Sequence, residues 1–365
     1  MAVIVSNRPA SEIFSQVAVV TGDSGRLRRT VARQDEYAGE RGIRYGSADG
    51  VAEGECGRTD DQRCRRVRDQ QSHRNHRRRL VATVANPSAN LWTAPILDRL
   101  AGERDEKPLA VPTVRALAPR FGGTSLYYLS SLSTGDGLWR FQDGQALEIW
   151  KAAEGALFEP PAVHADGRRV AVALRGQGKL RLQLVSADGS ESQLLTDAVD
   201  VRGAASWSPD GKWIVTGGSD AKGPGLFMIP VGGGAPVRLA EMGLDPVWSP
   251  DGTLIVYTGA NVGGFAPLLA MRPNGTSVEL PAIRVSAEGE RHRFLPDGRG
   301  LVYMQGLSML QDFWLLDLTT KTTRQLTRLN NSAAMRTFDI TSDGKQIVFD
   351  RLRENSDIVL IDLPK

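Results

Sequence analysis

The chain has 365 residues, of which 41% are hydrophobic and 24% charged, with 39 Gly, 19 Pro and a formal charge of +3. This is a globular composition rich in turn formers, which argues against long helices, and no stretch approaches the ~20 consecutive apolar residues of a membrane helix. The two cysteines, Cys56 and Cys64, leave the rest of the chain without a disulfide framework or a cysteine-based metal centre.

The basic balance is local. Residues 1–80 hold 16 Arg, no Lys and 11 acidic residues, whereas all eight Lys and all seven Trp lie beyond them. Within 57–79, nine of 23 positions are Arg and only Cys64 and Val67 are apolar, so this segment is expected to lack order. The head, 1–79, reads as an Arg-rich region of low order whose abrupt junction at Leu80 suggests a truncated or misread upstream part. Its first twenty residues lack the basic start and sustained apolar segment of an export signal, and the compartment stays open. The Arg run offers weak contact to nucleic acid at most, because Asp60, Asp61 and Asp69 interrupt it and no aromatic residues interleave. Gly22-Asp23-Ser24-Gly25 matches the short signature around a serine-protease nucleophile, but Arg26 follows and no barrel pattern surrounds it, so it is read as chance. His73 and His76 sit among guanidinium groups that disfavour a cation.

From Leu80 the pattern changes to short strands. Residues 80–84 and 91–96 are expected to be the second and third strands of a blade whose first strand is missing. A degenerate marker, Gly122-Gly123, comes next. Asp-Gly pairs then recur at Asp166-Gly167, Asp210-Gly211, Asp251-Gly252, Asp297-Gly298 and Asp343-Gly344, at spacings of 44, 41, 46 and 46. The fullest copies read Trp-Ser-Pro-Asp-Gly, at 207–211 and 248–252. This is turn chemistry: Pro sets φ for the first corner, Asp bonds its own downstream backbone, and Gly accepts φ > 0.

Each marker is followed by an apolar strand such as Trp213-Ile214-Val215, by a second one such as Leu226-Phe227-Met228-Ile229, and by a weaker fourth such as Pro236-Val237-Arg238-Leu239. Four strands per ~44 residues is a propeller blade. The last blade is expected to take Ile358-Val359-Leu360-Ile361 as its third strand and to lack a fourth. The fold class is therefore all-β, a β-propeller of six to seven four-stranded blades over 80–365, closed by strands from both ends of the chain.

The Ser-Pro-Asp-Gly-x-x-Ile-Val strand and the Leu-Phe-Met-Ile strand after it resemble the TolB-like, WD-repeat-like propeller repeat. The tail from Gln311-Asp312-Phe313-Trp314 through Arg351-Leu352-Arg353-Glu354-Asn355-Ser356-Asp357-Ile358 is similar to the propellers that end bacterial serine/threonine protein kinases. The resemblance implies the fold, a sensor or docking role, and allows periplasmic or extracytoplasmic placement. It brings no kinase chemistry, since no His-Arg-Asp catalytic loop, Asp-Phe-Gly or Gly-rich loop with a following strand lysine is present.

The expected function is that of a non-catalytic module binding a protein or peptide, as a monomer, with no cofactor, metal or membrane segment. The alternative is the accessory propeller of an enzyme, a serine/threonine protein kinase or a prolyl oligopeptidase-type peptidase, whose catalytic domain lies elsewhere. Gly217-Gly218-Ser219-Asp220-Ala221 resembles a nucleophile elbow but lacks the final Gly, and is read as a loop. His164 and His292 have no second ligand at metal-binding spacing, and Trp207, Trp248 and Trp314 are expected to pack blades. The marker turns are structural. The connections from second to third strands, 217–225, 259–267, 305–312 and 351–357, vary between blades, and Phe265, Met309 and Arg353 are the candidate binding residues there.

Overall fold

The computed structural model describes residues 17–23, 26–31, 79–85, 88–113, 115–132, 135–151, 157, 159–176, 178–287, 289–307, 309–329, 333–353 and 356–362. Residues 57–78, with His73 and His76, and Ser24 lie outside them. Two compact units emerge: Ser88–Arg353, and Met1–Pro87 together with Glu354–Lys365.

The larger unit is a six-bladed propeller. Blade 1 runs through Leu117–Gly122, Ser125–Leu132, Gly135–Gln142 and Gln145–Lys151, and blade 2 through Ala162–Val163, Arg169–Gly176, Lys179–Ser186 and Ser192–Thr196. Blade 3 holds Asp200–Trp207, Trp213–Asp220, Gly223–Pro230 and Val237–Ala240. Blade 4 holds Leu244–Trp248, Ile255–Thr258, Phe265–Met271 and Ser277–Val278, with Arg284–Ser286 also on its third strand. Blade 5 is His292–Phe294, Gly300–Gln305, Asp312–Asp317 and Thr323–Gln325. Blade 6 takes its first two strands, Phe338–Ile340 and Gln346–Arg353, from one end of the unit and its outer two, Ser88–Pro95 and Lys107–Leu109, from the other. The first strands touch their neighbours in an unbroken circle, so they are the innermost.

Closure by both ends was expected, but two strands are placed differently from the sequence reading. The partial blade before Gly122 and the incomplete last blade are one blade. Its third strand is Ser88–Pro95, paired with Gln346–Arg353 over all eight residues from Gln346↔Pro95 to Arg353↔Ser88. Ser356–Asp362, which contains the expected third strand at 358–361, pairs instead with Arg79–Ala85 in the smaller unit. There Arg79–Ala85 also pairs with Val17–Asp23, which forms a hairpin with Arg26–Val31. The physical reason is that both segments are short, mainly apolar runs of strand length, and the edge of Gln346–Arg353 accommodates only one of them.

Packing follows from the repeat. Strand apolar residues form six buried clusters, one at each interface between neighbouring blades. Between blades 5 and 6, Phe313 lies edge-on to Phe338 and Phe349 at 5.0 and 5.3 Å between ring centroids. Trp207 and Trp248 are buried in such clusters, their indole N–H groups donating to the carbonyls of Ala162 at 2.8 Å and Gly252 at 3.1 Å. They pack blades, as expected.

The markers are the hairpins between first and second strands. In blade 4, Ser249 Oγ donates to Asp251 Oδ1 at 2.6 Å and accepts from Leu254 N at 2.9 Å, and Asp251 Oδ1 accepts from Thr253 N at 3.0 Å. Ser208, Asp210, Lys212 and Trp213 repeat this in blade 3, and Thr341, Asp343, Lys345 and Gln346 in blade 6. The glycines of the five Asp-Gly markers have φ between 68° and 77°, which a side chain would strain.

Candidate functional site: a propeller face and its axis

Connections from first to second strands and from third to fourth lie on one face, here called the marker face. Those from second to third strands, and from each fourth strand to the next blade, lie on the other. On that other face blade 3 is closed by a two-residue turn, Ala221 and Lys222, because its strands run on to Asp220 and resume at Gly223. Asp220 Oδ1 accepts from Lys222 N at 2.8 Å there and pairs with Arg238. The 217–225 loop expected from sequence is therefore mostly strand, and Ser219 stands opposite Asp200 on the second strand rather than at an elbow. Blades 4 and 5 carry six-residue connections, 259–264 and 306–311.

Phe265, Met309 and Arg353 fall on this face in the consecutive blades 4, 5 and 6. Phe265 begins a third strand, partly exposed and opposite Ser286. Met309 is exposed in the 306–311 connection with φ +69°, held by the Leu310 N to Leu307 O bond of 2.9 Å. Arg353 is the exposed last residue of its strand, and the expected loop 351–357 begins as strand, with Arg351 buried. Sequence reasoning missed their apolar neighbours. Of the eleven large apolar side chains exposed among the described residues, six lie on this face: Met242, Leu244, Val262, Leu307, Met309 and Leu310. The Leu-Ser-Met-Leu run at 307–310, apolar inside a loop, was the available signal.

Charged groups are buried around the axis, on or next to the first strands. Arg120 in blade 1 donates to the carbonyls of Pro119 at 2.7 Å and Phe338 at 3.0 Å and pairs with Glu290 of the blade 4 to 5 connection. Arg293 in blade 5 reaches Glu290 at 3.2 Å and Asp339 of blade 6 at 3.8 Å, while Asp339 Oδ2 accepts from Phe121 N at 2.7 Å. Three blades are thus tied together by ion pairs that solvent hardly reaches. Burial lowers Arg120 to about 10, still protonated at neutral pH, and raises Glu290.

Bulges in the first strands explain two more of these groups. Ala118 and Asp245 take φ of +54° and +50° where the ladder shifts register. Carboxylates of neighbouring blades accept amide groups freed by such bulges: Asp350 from Ala118 N at 3.1 Å, and Asp245 from Ala204 N at 2.8 Å. Burial, with Glu159 nearby, pushes Asp245 up to about 6, and burial raises Glu159 itself. Sequence reasoning found none of these residues, since no repeat marks them.

The two described histidines, His164 and His292, sit in the packing of the blades. His292 is buried with Nε2 3.1 Å from the Val256 carbonyl, and burial lowers it to about 4, so it is neutral. His164 meets Asp166 Oδ1 at 2.7 Å through Nδ1 and lies edge-on to Trp207 at 5.2 Å. Among the described residues no group of three His, Cys, Asp or Glu is placed to hold a metal ion, and no helix is long and apolar enough to cross a membrane.

No family model and no curated protein matches the sequence. Solved structures do. A candidate TolB from Agrobacterium tumefaciens is 20% identical with a TM-score of 0.54, over 73% of this chain and 99% of that one. TolB from Acinetobacter baumannii is 14% identical with a TM-score of 0.49, over 72% of this chain and 65% of that one. A chain of a nidogen/laminin complex, also 14% identical, gives a TM-score of 0.49 over 72% and 98%. What the Agrobacterium structure shares with this chain is the fold, a TolB-like β-propeller.

Proposed function

We propose that the propeller is a non-catalytic module that docks a protein or peptide on the face carrying the 259–264 and 306–311 connections. The observation that carries this reading is the concentration of exposed Met, Leu and Val side chains there, on the 259–264 and 306–311 connections and beside the link from blade 3 to blade 4. Exposed apolar patches of this kind mark interaction sites, and flexible Met and Leu side chains adapt to a partner. Phe265 and Arg353 add an aromatic and a guanidinium anchor of the types enriched at interface centres. The buried ion pairs around the axis hold blades 1, 5 and 6 rigid, so the loops are presented on a fixed frame.

A photo-crosslinking residue at position 309, compared with one at 345 on the marker face, tests the location in cells. Adducts are expected at 309. With the captured partner purified, Phe265→Ala, Met309→Ala and Arg353→Ala should each weaken binding by about tenfold, equivalent to about 1.4 kcal/mol, at unchanged melting temperature. Unchanged affinity in all three moves the site to the marker face.

The kinase-like tail sequence supports a second reading, in which the same face serves a catalytic domain of a kinase or prolyl oligopeptidase-type enzyme. Adducts at 309 to such an enzyme, rather than to an unrelated protein, would select it.

A further inference from the structure

On the marker face, blades 2 and 3 flank an open groove of about 570 Å³, lined by Arg169, Gln193, Lys212, Trp213, Pro230 and Val231. That volume falls within the ~300–1,000 Å³ typical of small-ligand sites. We propose that it binds an organic carboxylate with an apolar body. Two cations, Arg169 of blade 2 and Lys212 of blade 3, beside the partly buried indole of Trp213 match that chemistry. Arg169 is pre-positioned, its guanidinium 4.8 Å over the ring of Trp207, which the Ala162 carbonyl and His164 hold in turn. No carboxylate lies within ion-pair distance of Arg169 among the described residues.

The nearby acids are committed. Asp166 accepts from Arg168 N at 2.8 Å and meets His164, and Asp210 Oδ1 accepts from Ser208 Oγ at 2.6 Å and Lys212 N at 3.1 Å. Lys212 Nζ stands 3.6 Å from Asp210 Oδ2 with both side chains exposed, a contact weak enough for Lys212 to turn to a ligand.

Gly211 lines the groove as well. A Cβ there would sit 2.7 Å from Arg169 Nη2, so the glycine lets the guanidinium lie close against the marker turn beside the groove. A carboxylate would satisfy these two cations: the planar guanidinium bonds both oxygens and Lys212 adds a point charge. Trp213, Pro230 and Val231 would cover the apolar body. The carboxylate could belong to a free acid or to a peptide C-terminus.

The groove is opposite the proposed docking face, so its test is independent of that reading. Titrating the full chain with N-acetylphenylalanine and following amide shifts by NMR should give saturable binding with Kd of about 1 mM. N-acetylphenylalanine amide and acetate should each bind at least about tenfold more weakly, the first for want of charge and the second of body. Lys212→Ala, at an exposed position, and Arg169→Gln should each cost several-fold, with Arg169→Lys recovering only part, while Phe265→Ala changes nothing. Gly-Gly-Phe with a free C-terminus binding tighter than N-acetylphenylalanine assigns a peptide terminus, and weaker binding assigns a free acid. Equal affinity for the amide, unchanged affinity in both Lys212→Ala and Arg169→Gln, or no saturation by about 20 mM, which is weaker than any useful site, overturns the proposal.

Discussion

Asp245 occupies a position where backbone and charge pull in different directions. Its carboxylate accepts the Ala204 amide across a blade interface, yet burial pushes its pKa up to about 6. A carboxyl with a higher pKa folded than unfolded holds its proton more tightly in the fold. Its contribution to stability is complete below pH ~4 and is lost as pH rises through 6, a difference of about 3 kcal/mol for this shift. Asn keeps the acceptor oxygen, tolerates φ +50° and carries no charge. Asp245→Asn should therefore melt higher than the parent at pH 7.5, and the gap should close toward pH 4. His292 titrates in the opposite sense over the same range, but it is present in both proteins and cancels in the difference. Lower stability of the variant at pH 7.5 would mean that the ionised carboxylate is needed. None of this was legible in the sequence, because Asp245, Glu159 and Glu290 acquire their environment from blades far apart in the chain, without a periodic signal.

At the level of the element, the hairpins were the most legible part of the molecule. Asp and Gly at fixed offsets specify a turn through local chemistry alone, and all five Asp-Gly markers form the hairpin between first and second strands. The sequence did not reveal what each glycine faces. A Cβ on Gly252 would find only Pro209, at 3.8 Å, whereas one on Gly167 would lie 2.6 Å from the Gly122 carbonyl oxygen of blade 1. Gly252→Ala should thus carry only the cost of a positive φ, about 1–2 kcal/mol. Gly167→Ala has a similar φ and must also push two blades apart, so its loss should be clearly larger. Urea unfolding of both variants measures this, and equal losses would show that blade 1 yields at no cost. The third strand of blade 6 shows the converse limit. Leu91-Trp92-Thr93-Ala94 and Ile358-Val359-Leu360-Ile361 are both credible partners for Gln346–Arg353, and period-two alternation cannot rank them. Arg351 can: its guanidinium stacks 4.3 Å over Trp92 and donates to Glu106 at 2.5 Å, contacts that exist only with Ser88–Pro95 in place.

For the propeller as a whole, stability depends on the circle being closed. Each of the six apolar clusters needs two blades, and blade 6 exists only when Ser88–Pro95 and Lys107–Leu109 join Phe338–Ile340 and Gln346–Arg353. The register places Ser88 directly opposite Arg353, so the two ends of the Ser88–Arg353 unit are adjacent antiparallel residues. A two-residue Asn-Gly turn should therefore connect Arg353 to Ser88 without strain. New ends can be opened between Ala221 and Lys222, both exposed at a loop tip. A permuted chain running from Lys222 through Arg353, Asn-Gly and Ser88 to Ala221 keeps every strand pair of the propeller. It should be soluble, show β-type circular dichroism and melt in one cooperative transition. A chain of 117–353, lacking the outer strands of blade 6, should not: Gln346–Arg353 becomes an open edge and Arg351 loses both Glu106 and Trp92. If 117–353 instead melts in one cooperative transition at the same temperature as the permuted chain, Ser88–Pro95 is not what closes the ring.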